Sequence, residues 1–347
     1  MAERVLTARE LNRAMLARQL LLRRERLSVP RAVERLGGLQ TQDSRSGYIG
    51  LWSRLDGFER DDLTRALERR KVVQGHVMRI TVHMVSARDY WLFTEGIREP
   101  RRESWQKSHA RRVDVAQMPG LARRVEAALA AGSRPRREVA REIGIDGTTW
   151  TGTGMWVDLV RAPPSGTWAH PRADLYALAD RWLPREEPSE REGREHLLRR
   201  YLAAFGPATI QEAANWSGLP VKALSAVAGN LRLRRFRAED GAELLDLPGA
   251  PLPDPETPAP PRFLANWDPM LLVSRRRTQI LPKQDWSRVF NPKTPQTTSV
   301  FLLDGVVAGR WKLDDRRLRL EPFRRIPKEA RKDLDEEAER LRQFVLD

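Results

Sequence analysis

The sequence has no cysteine, which excludes disulfides, a thiolate nucleophile, zinc ribbons and thiolate-held iron–sulfur clusters. Histidine is scarce as well. His76, His83, His109, His170 and His196 form neither HExxH nor another compact ligand set, so no metal site is expected. Long apolar runs are missing: no segment approaches the roughly 18 apolar residues needed to span a bilayer, and the opening MAERVLTARE lacks the apolar block of a secretory signal. The expected address is the cytoplasm, with no membrane partner. There is no GxSxG elbow. The nearest approach to a phosphate loop, Gly147-Thr148-Thr149-Trp150-Thr151-Gly152, carries Thr153 where lysine is required, which argues against nucleotide hydrolysis. No cofactor is implied.

Lysine is rare too, eight against 54 arginines. A GC-rich genome explains the choice of arginine over lysine, but not a net charge of +15 against 47 acidic residues. That excess favours a polyanionic partner such as nucleic acid. An anionic membrane surface is the weaker competitor, because no amphipathic helix with a strongly apolar face stands free of the rest. What is present suffices for folding. The 347 residues are 40% hydrophobic with 11 Trp and 9 Phe, the mean hydropathy of -0.58 is that of a soluble chain, and the length divides into roughly two to four domains.

A weak internal repeat organises the first two thirds of the chain. Ser28-Val29-Pro30 leads through Ala32, Val33 and Leu36 to Gly37; Ser133-Arg134-Pro135 leads through Val139 and Ile143 to Gly144; Pro207-Ala208-Thr209 leads through Ala213 and Trp216 to Gly218. Each reads as a short helix opened by a cap and proline and stopped by glycine. A longer helix precedes each one: Ala8 to Arg24 with Thr7 and Glu10 spaced as a capping box, Leu121 to Ala131, and Glu195 to Phe205. Another follows each: Asp61 to Arg70, Thr149 to Arg161, and Val221 to Ala228. The period then shifts towards two. Val77 to Val85 alternates as a strand, Thr167 to His170 follows a Pro-Pro-Ser-Gly turn, and Leu231 to Phe236 pairs with Glu243 to Leu247 across Asp240-Gly241.

Helix, short helix, helix, hairpin is the order of a winged helix-turn-helix. The expected fold class is therefore α+β, with three tandem winged helix-turn-helix units at 1–110, 111–190 and 191–250. A proline-rich linker, PGAPLPDPETPAPP, opens the remaining segment, 251–347. Short β-type runs at Arg262–Leu264, Met270–Val273, Thr278–Leu281, Thr298–Leu303, Val306–Trp311 and Leu318–Pro322 predict a small β-barrel or curled sheet, the barrel being preferred. The amphipathic end, Pro327 to Val345, predicts a terminal helix that packs through Leu334, Leu341 and Phe344.

One stretch stands out for its chemistry. In Gly37-Gly38-Leu39-Gln40-Thr41-Gln42 the glycines end a helix, and in an extended segment Gln40 and Gln42 point the same way while Thr41 points away. Two converging carboxamides can hold one water in a fixed orientation. Glutamines in a loop can equally serve only to satisfy backbone groups. Arg79, Thr81 and His83 alternate so as to project polar groups from one strand face, although His83 also fits a hydrogen-bonded structural histidine.

Several stretches together resemble the AlkZ-like DNA glycosylases: Leu39-Gln40-Thr41-Gln42, Tyr48 to Leu55, Arg79 to Tyr90, Phe205-Gly206-Pro207-Ala208-Thr209, Trp216-Ser217-Gly218, Trp267-Asp268, Arg275-Arg276-Arg277 and Asp304 to Trp311. The resemblance spans nearly the whole chain. It implies tandem winged helices with a C-terminal β-barrel, and bacterial enzymes that excise N7-alkylated purines, some of which unhook interstrand crosslinks or remove bulky natural-product adducts. The family motif is Gln, a hydrophobic residue, then Gln or Asp. Gln40 and Gln42 fill its outer positions, and Thr41 departs from its hydrophobic middle. Catalysis is thereby assigned to Gln40 and Gln42.

An N7-alkylated purine already carries a positive charge and leaves neutral, so what remains for catalysis is to place a water near C1′ and stabilise an oxocarbenium-like sugar. Gln42 is assigned to water positioning and Gln40 to support of the water or sugar. With no lysine near the motif, no lyase step through a Schiff base is expected.

DNA contact is expected from Arg69-Arg70-Lys71, from Arg79, Thr81 and His83, from Arg232, Arg234, Arg235 and Arg237 in the last wing, and from Arg275, Arg276 and Arg277 in the barrel. The expected partner is double-stranded DNA carrying alkylated purines, met by a monomer in the cytoplasm, nucleoid-associated when bound. General DNA repair and self-resistance beside a genotoxin pathway both fit. The competing reading is a non-catalytic winged-helix DNA-binding protein or transcriptional regulator.

Overall fold

The computed structural model describes residues 4–172, 174–274, 278–291 and 297–346. The chain opens with β1 (Val5–Leu6) and α1 (Ala8–Arg18), where Thr7 and Glu10 form the expected capping box. Next come α2 (Val29–Leu36), β2 (Leu39–Gln40), α3 (Ser44–Trp52), α4 (Arg60–Glu68), β3 (Val72–His76), β4 (Val82–Ser86) and the long α5 (Ala87–His109). The second stretch holds α6 (Met118–Leu129), β5 (Arg134–Pro135), α7 (Arg136–Ile143), α8 (Gly147–Thr153), β6 (Leu159–Arg161), β7 (Leu175–Leu178) and α9 (Ala179–Trp182). The third holds α10 (Glu190–Phe205), α11 (Ile210–Ser217), α12 (Val221–Ala228), β8 (Arg234–Ala238) and β9 (Glu243–Asp246). The last holds β10 (Arg262–Leu264), α13 (Pro269–Ser274), α14 (Trp286–Val289), β11 (Val300–Leu303), β12 (Val306–Asp314), β13 (Arg317–Pro322) and α15 (Lys328–Leu346).

The three short helices of the repeat are α2, α7 and α11, and each stops at its glycine: Gly37, Gly144 and Gly218 have φ of 73°, 75° and 81°. Helix, short helix, helix, hairpin is followed without insertion in α10, α11, α12 and β8–β9. The earlier stretches depart from it. Helix α1 ends at Arg18, α8 ends at Thr153, and Thr167–His170 is not a strand. Val77–Val85 is not one strand either: β3 and β4 pair antiparallel from Val72↔Ser86 to His76↔Val82, and the tip between them turns through Arg79 and Ile80 at φ 53° and 60°.

Helix α5 has no counterpart among the expected elements. It contains Pro100, which forfeits one internal hydrogen bond, and it is held by packing instead. Gly96 of α5 lies on Gly193 of α10 so closely that a Cβ on Gly96 would come within 2.7 Å of the Gly193 carbonyl carbon. The two helices thus meet backbone to backbone, above Trp91, Phe93, Ile97, Leu197 and Tyr201 of the main core.

The first two stretches share one sheet of order β2-β4-β3-β6-β7-β5. Its joint is the antiparallel pairing of β3 with β6, Gln74↔Arg161 and Gly75↔Val160. The main core runs from Met15 through Val160 and Leu202 to Val307, across all four stretches.

In the last stretch β10-β11-β12-β13 form an antiparallel sheet, and among the described residues it does not close into the expected barrel. Met270–Val273 lies in α13, where the Asp268 carboxylate accepts from the Met270 amide at 3.0 Å. Thr278–Leu281 is a turn that buries Ile280 and Leu281. Short apolar runs do not distinguish strand from buried helix or turn. The terminal helix α15 buries Leu334 and Leu341, and its Phe344 stacks on Trp52. Its buried Glu337 pairs with Arg24 at 2.7 Å.

Candidate active site

Gly37 and Gly38, with φ of 73° and 88°, swing the chain from α2 into β2. A side chain at Gly38 would press on the Met84 carbonyl, 3.2 Å from its Cβ. β2 pairs antiparallel with β4, placing Gln40 opposite His83, and Thr41 N extends the ladder to Val82 O at 2.8 Å. Two residues later Asp43 caps α3, accepting from Arg45 N at 3.1 Å. The segment between sheet edge and helix is therefore short and fixed at both ends. Thr41 is fully buried against Gly47, and its hydroxyl has no hydrogen-bond partner among the described residues. Its carbonyl accepts from Arg161 Nη1 at 2.9 Å, and the same Nη1 lies 3.2 Å from Gln74 Oε1.

Gln40 is buried and Gln42 exposed. Their amides meet: Gln40 Nε2 donates to Gln42 Oε1 at 3.2 Å. Arg79 Nη2 donates to Gln40 Oε1 at 3.2 Å, and Arg79 Nη1 donates to the Trp216 carbonyl of α11. Gly38, Gln40, Arg79, His83, Trp216, Pro269 and Leu272 line a small cleft here. Strand β2 is the outer strand of its sheet, so the cleft opens at a sheet edge.

Burial sets the electrostatics. The His83 ring is pushed down to about 3, first by desolvation and then by the Arg79 charge and by His76, with the Thr81 carbonyl partly opposing. The ring is neutral at physiological pH. Its Nδ1 lies 3.0 Å from Thr81 O, and because a carbonyl only accepts, Nδ1 holds the proton and Nε2 is left as an acceptor. Desolvation lowers Arg79 to about 10, so it remains a cation at neutral pH. Among the described residues, no carboxylate or lysine lines the cleft. Among the described residues no group of three His, Cys, Asp or Glu is placed to hold a metal ion.

The expected DNA contacts divide. Arg79, Thr81 and His83 belong to the cleft and its hydrogen bonds. Arg69 and Lys71 are exposed; Arg70 lies over the Trp182 ring at 4.1 Å. In the third hairpin Arg232, Arg235 and Arg237 are exposed, Arg235 pairing with Glu243 and Arg237 donating to Gly241 O at 3.0 Å, while Arg234 is half-buried and paired with Asp246 at 2.5 Å. Arg275, Arg276 and Arg277 lie outside the described residues. Trp216, Arg54 and Asp268 lie in stretches that carry the family resemblance, but sequence reasoning gave none of them, nor Arg161, a place at the site; Arg54 and Asp268 form a buried pair whose two hydrogen bonds are both 2.8 Å. Arg161 and Trp216 reach the site across a long separation in sequence, through Thr41 O and Arg79.

The family model described as DNA glycosylase AlkZ-like matches residues 33–344. The chain belongs to the AlkZ-like DNA glycosylase family. Among solved structures, Streptomyces sahachiroi DNA glycosylase AlkZ has the same fold, with a TM-score of 0.82 and 19% identity over 98% of this chain and 97% of that one. None of the curated protein sequences matches the chain. The AlkZ-like assignment makes DNA the substrate of this glycosylase and sets it among DNA repair proteins. No described helix is long and apolar enough to cross a membrane.

Proposed function

We propose that this AlkZ-like glycosylase hydrolyses the N-glycosidic bond of N7-alkylated purines in duplex DNA, bulky adducts and crosslinks included, with Gln40 and Gln42 as its catalytic residues. One observation carries the reading. Gln40 lines a cleft with Arg79 and His83 and hydrogen-bonds the exposed Gln42 beside it, and among the described residues that lining offers neither a carboxylate base nor a lysine. Such a site suits a leaving group that needs no protonation. Gln42 positions the attacking water and Gln40 supports it. That no lysine among the described residues lines the cleft favours a monofunctional enzyme, because a lyase step needs an amine to form the Schiff base.

The duplex reaches the site along exposed arginines. Arg69, Arg70 and Lys71 after α4, and Arg232, Arg235 and Arg237 around the third hairpin, are the proposed phosphate contacts, with Arg275, Arg276 and Arg277 as further candidates. The helical repeats, at 1–110, 111–190 and 191–250, are read as three winged-helix units, with 251–347 as the fourth unit, and the enzyme is taken to act as a monomer. The regulator reading has no specific observation in its favour. The test is release of free base from a duplex containing N7-methylguanine. A Gln42→Ala variant that releases base as fast as the parent would remove the assignment, and strand nicking by the parent would remove the monofunctional one.

A further inference from the structure

Gln40 stands between two partners with opposite demands. Arg79 Nη2 is 3.2 Å from Gln40 Oε1, and Gln40 Nε2 is 3.2 Å from Gln42 Oε1. A guanidinium has five N–H donors and no acceptor, so only the oxygen of Gln40 can face it. The amide nitrogen of Gln40 must then turn to Gln42, and only the oxygen of Gln42 can receive it. The direction of both carboxamides follows from one cation.

That cation is itself fixed. Its Nη1 donates to the Trp216 carbonyl, its Cα lies 3.5 Å from where a Cβ on Gly218 would sit, and its backbone holds φ 53° at the hairpin tip. The peptide between the two glutamines is held separately by Arg161, which donates to Thr41 O at 2.9 Å. With the backbone held, Arg79 sets which way the Gln40 amide faces, and through it which end of Gln42 can meet Gln40.

We propose that Arg79 is a positioning residue rather than a phosphate contact: it sets the polarity of the Gln40 and Gln42 amides, so that Gln42 presents its Nε2 hydrogens and one remaining Oε1 lone pair to the bound nucleotide and water. This rests on the glycosylase reading. It also requires the residue at position 40 to accept and donate at once. A carboxylate there would satisfy Arg79 but could only accept from Gln42, which would reverse the second amide.

The test uses the full-length protein, since glycine suits the positive φ of residue 79 and leaves room for an added cation. In single-turnover release of N7-methylguanine, Arg79→Gly should lower the rate by about tenfold or more, leave DNA affinity within about twofold, and regain part of the loss in millimolar methylguanidinium but not in equal sodium chloride. Gln40→Glu should lose as much and show no rescue. Weakened DNA binding at an unchanged rate makes Arg79 a phosphate contact and overturns the proposal, as does an unchanged rate and affinity. If the parent releases no base, the glycosylase reading fails on its own, and the relay is read instead from the side-chain amide signals of glutamine-labelled protein. Slow hydrogen exchange at Gln40 that becomes fast in Arg79→Gly, and slows again with methylguanidinium, supports it; equal exchange in parent and variant overturns it. Should the glycine variant unfold, Arg79→Lys, still a donor-only cation, must keep the slow exchange.

Discussion

The first hairpin carries one arginine, Arg79 at its tip, and the third carries Arg234, Arg235 and Arg237 on β8, and the protein uses them differently. In the first, β4 lies between β2 and β3, and the tip turns through two residues at positive φ, which brings Arg79 inward onto Gln40 and the Trp216 carbonyl. In the third, the tip is a tight turn at Asp240-Gly241 with Gly241 at φ 83°, and Arg235 and Arg237 stay at the surface. Only its root reaches inside, where Asp246 pairs with Arg18 at 2.6 Å and Arg234 at 2.5 Å. An arginine in such a hairpin is a contact for solvent and phosphate when its face is uncovered, and a donor for the interior when a neighbouring element supplies acceptors.

The largest effect expected is at the root of the third hairpin. Asp246→Ala leaves the buried Arg18 guanidinium without its carboxylate and should cost about 3–5 kcal/mol in urea unfolding, while the folded fraction keeps its rate; a cost under ~1 kcal/mol would mean the carbonyls around Arg18 suffice. At the first hairpin the counterpart is chemical. Gln42→Ala should slow base release by about 10²–10³-fold with little change in unfolding midpoint, and an equal loss of stability would blur the contrast.

Acid separates the two hairpins next. The unfolded chain protonates His83 near its ordinary 6.5, whereas the folded one resists down to about 3. The unfolded state therefore binds more protons in between, and stability is complete above about pH 6.5 and lost as pH falls, by about 2 kcal/mol at pH 5 from this group. His83→Gln should flatten that part of the stability curve measured by denaturant titration. A milder effect is expected at Thr41, whose buried hydroxyl is unpaired. Thr41→Val should stabilise by about 1 kcal/mol, read as a higher thermal midpoint; a destabilised variant would point to a partner for that hydroxyl. The smallest effect belongs to the exposed Arg232. Arg232→Ala should leave the rate of base release alone and lower the salt slope of DNA binding by about one.

Much of this was legible in the sequence where the cause is local. The glycines closing α2, α7 and α11 and the Thr7–Glu10 capping box follow from backbone rules acting over a few residues. So does the meeting of Gln40 and Gln42, since residues two apart share a face in extended chain. What was not legible depends on distant partners. Helix α5 carries Gly96 and Pro100, which local propensity counts against it, and survives because Gly193 lets α10 approach. Val77–Val85 alternates like a strand, yet the acceptor at Trp216 and the packing of the tip turn it into a bend. The apolar runs Met270–Val273 and Thr278–Leu281 resemble strands in composition alone, and the Asp268 cap made the first a helix.

The joint between β3 and β6 has a consequence for how the enzyme can be divided. A chain severed after residue 110 would lose Arg161, the donor to Thr41 O, and would bare the edge of β3 that β6 now covers. An uncovered edge invites pairing with other chains. The amide pair is encoded in the first quarter of the polypeptide, but it can be brought to working order only after the ribosome has delivered strands from well beyond it.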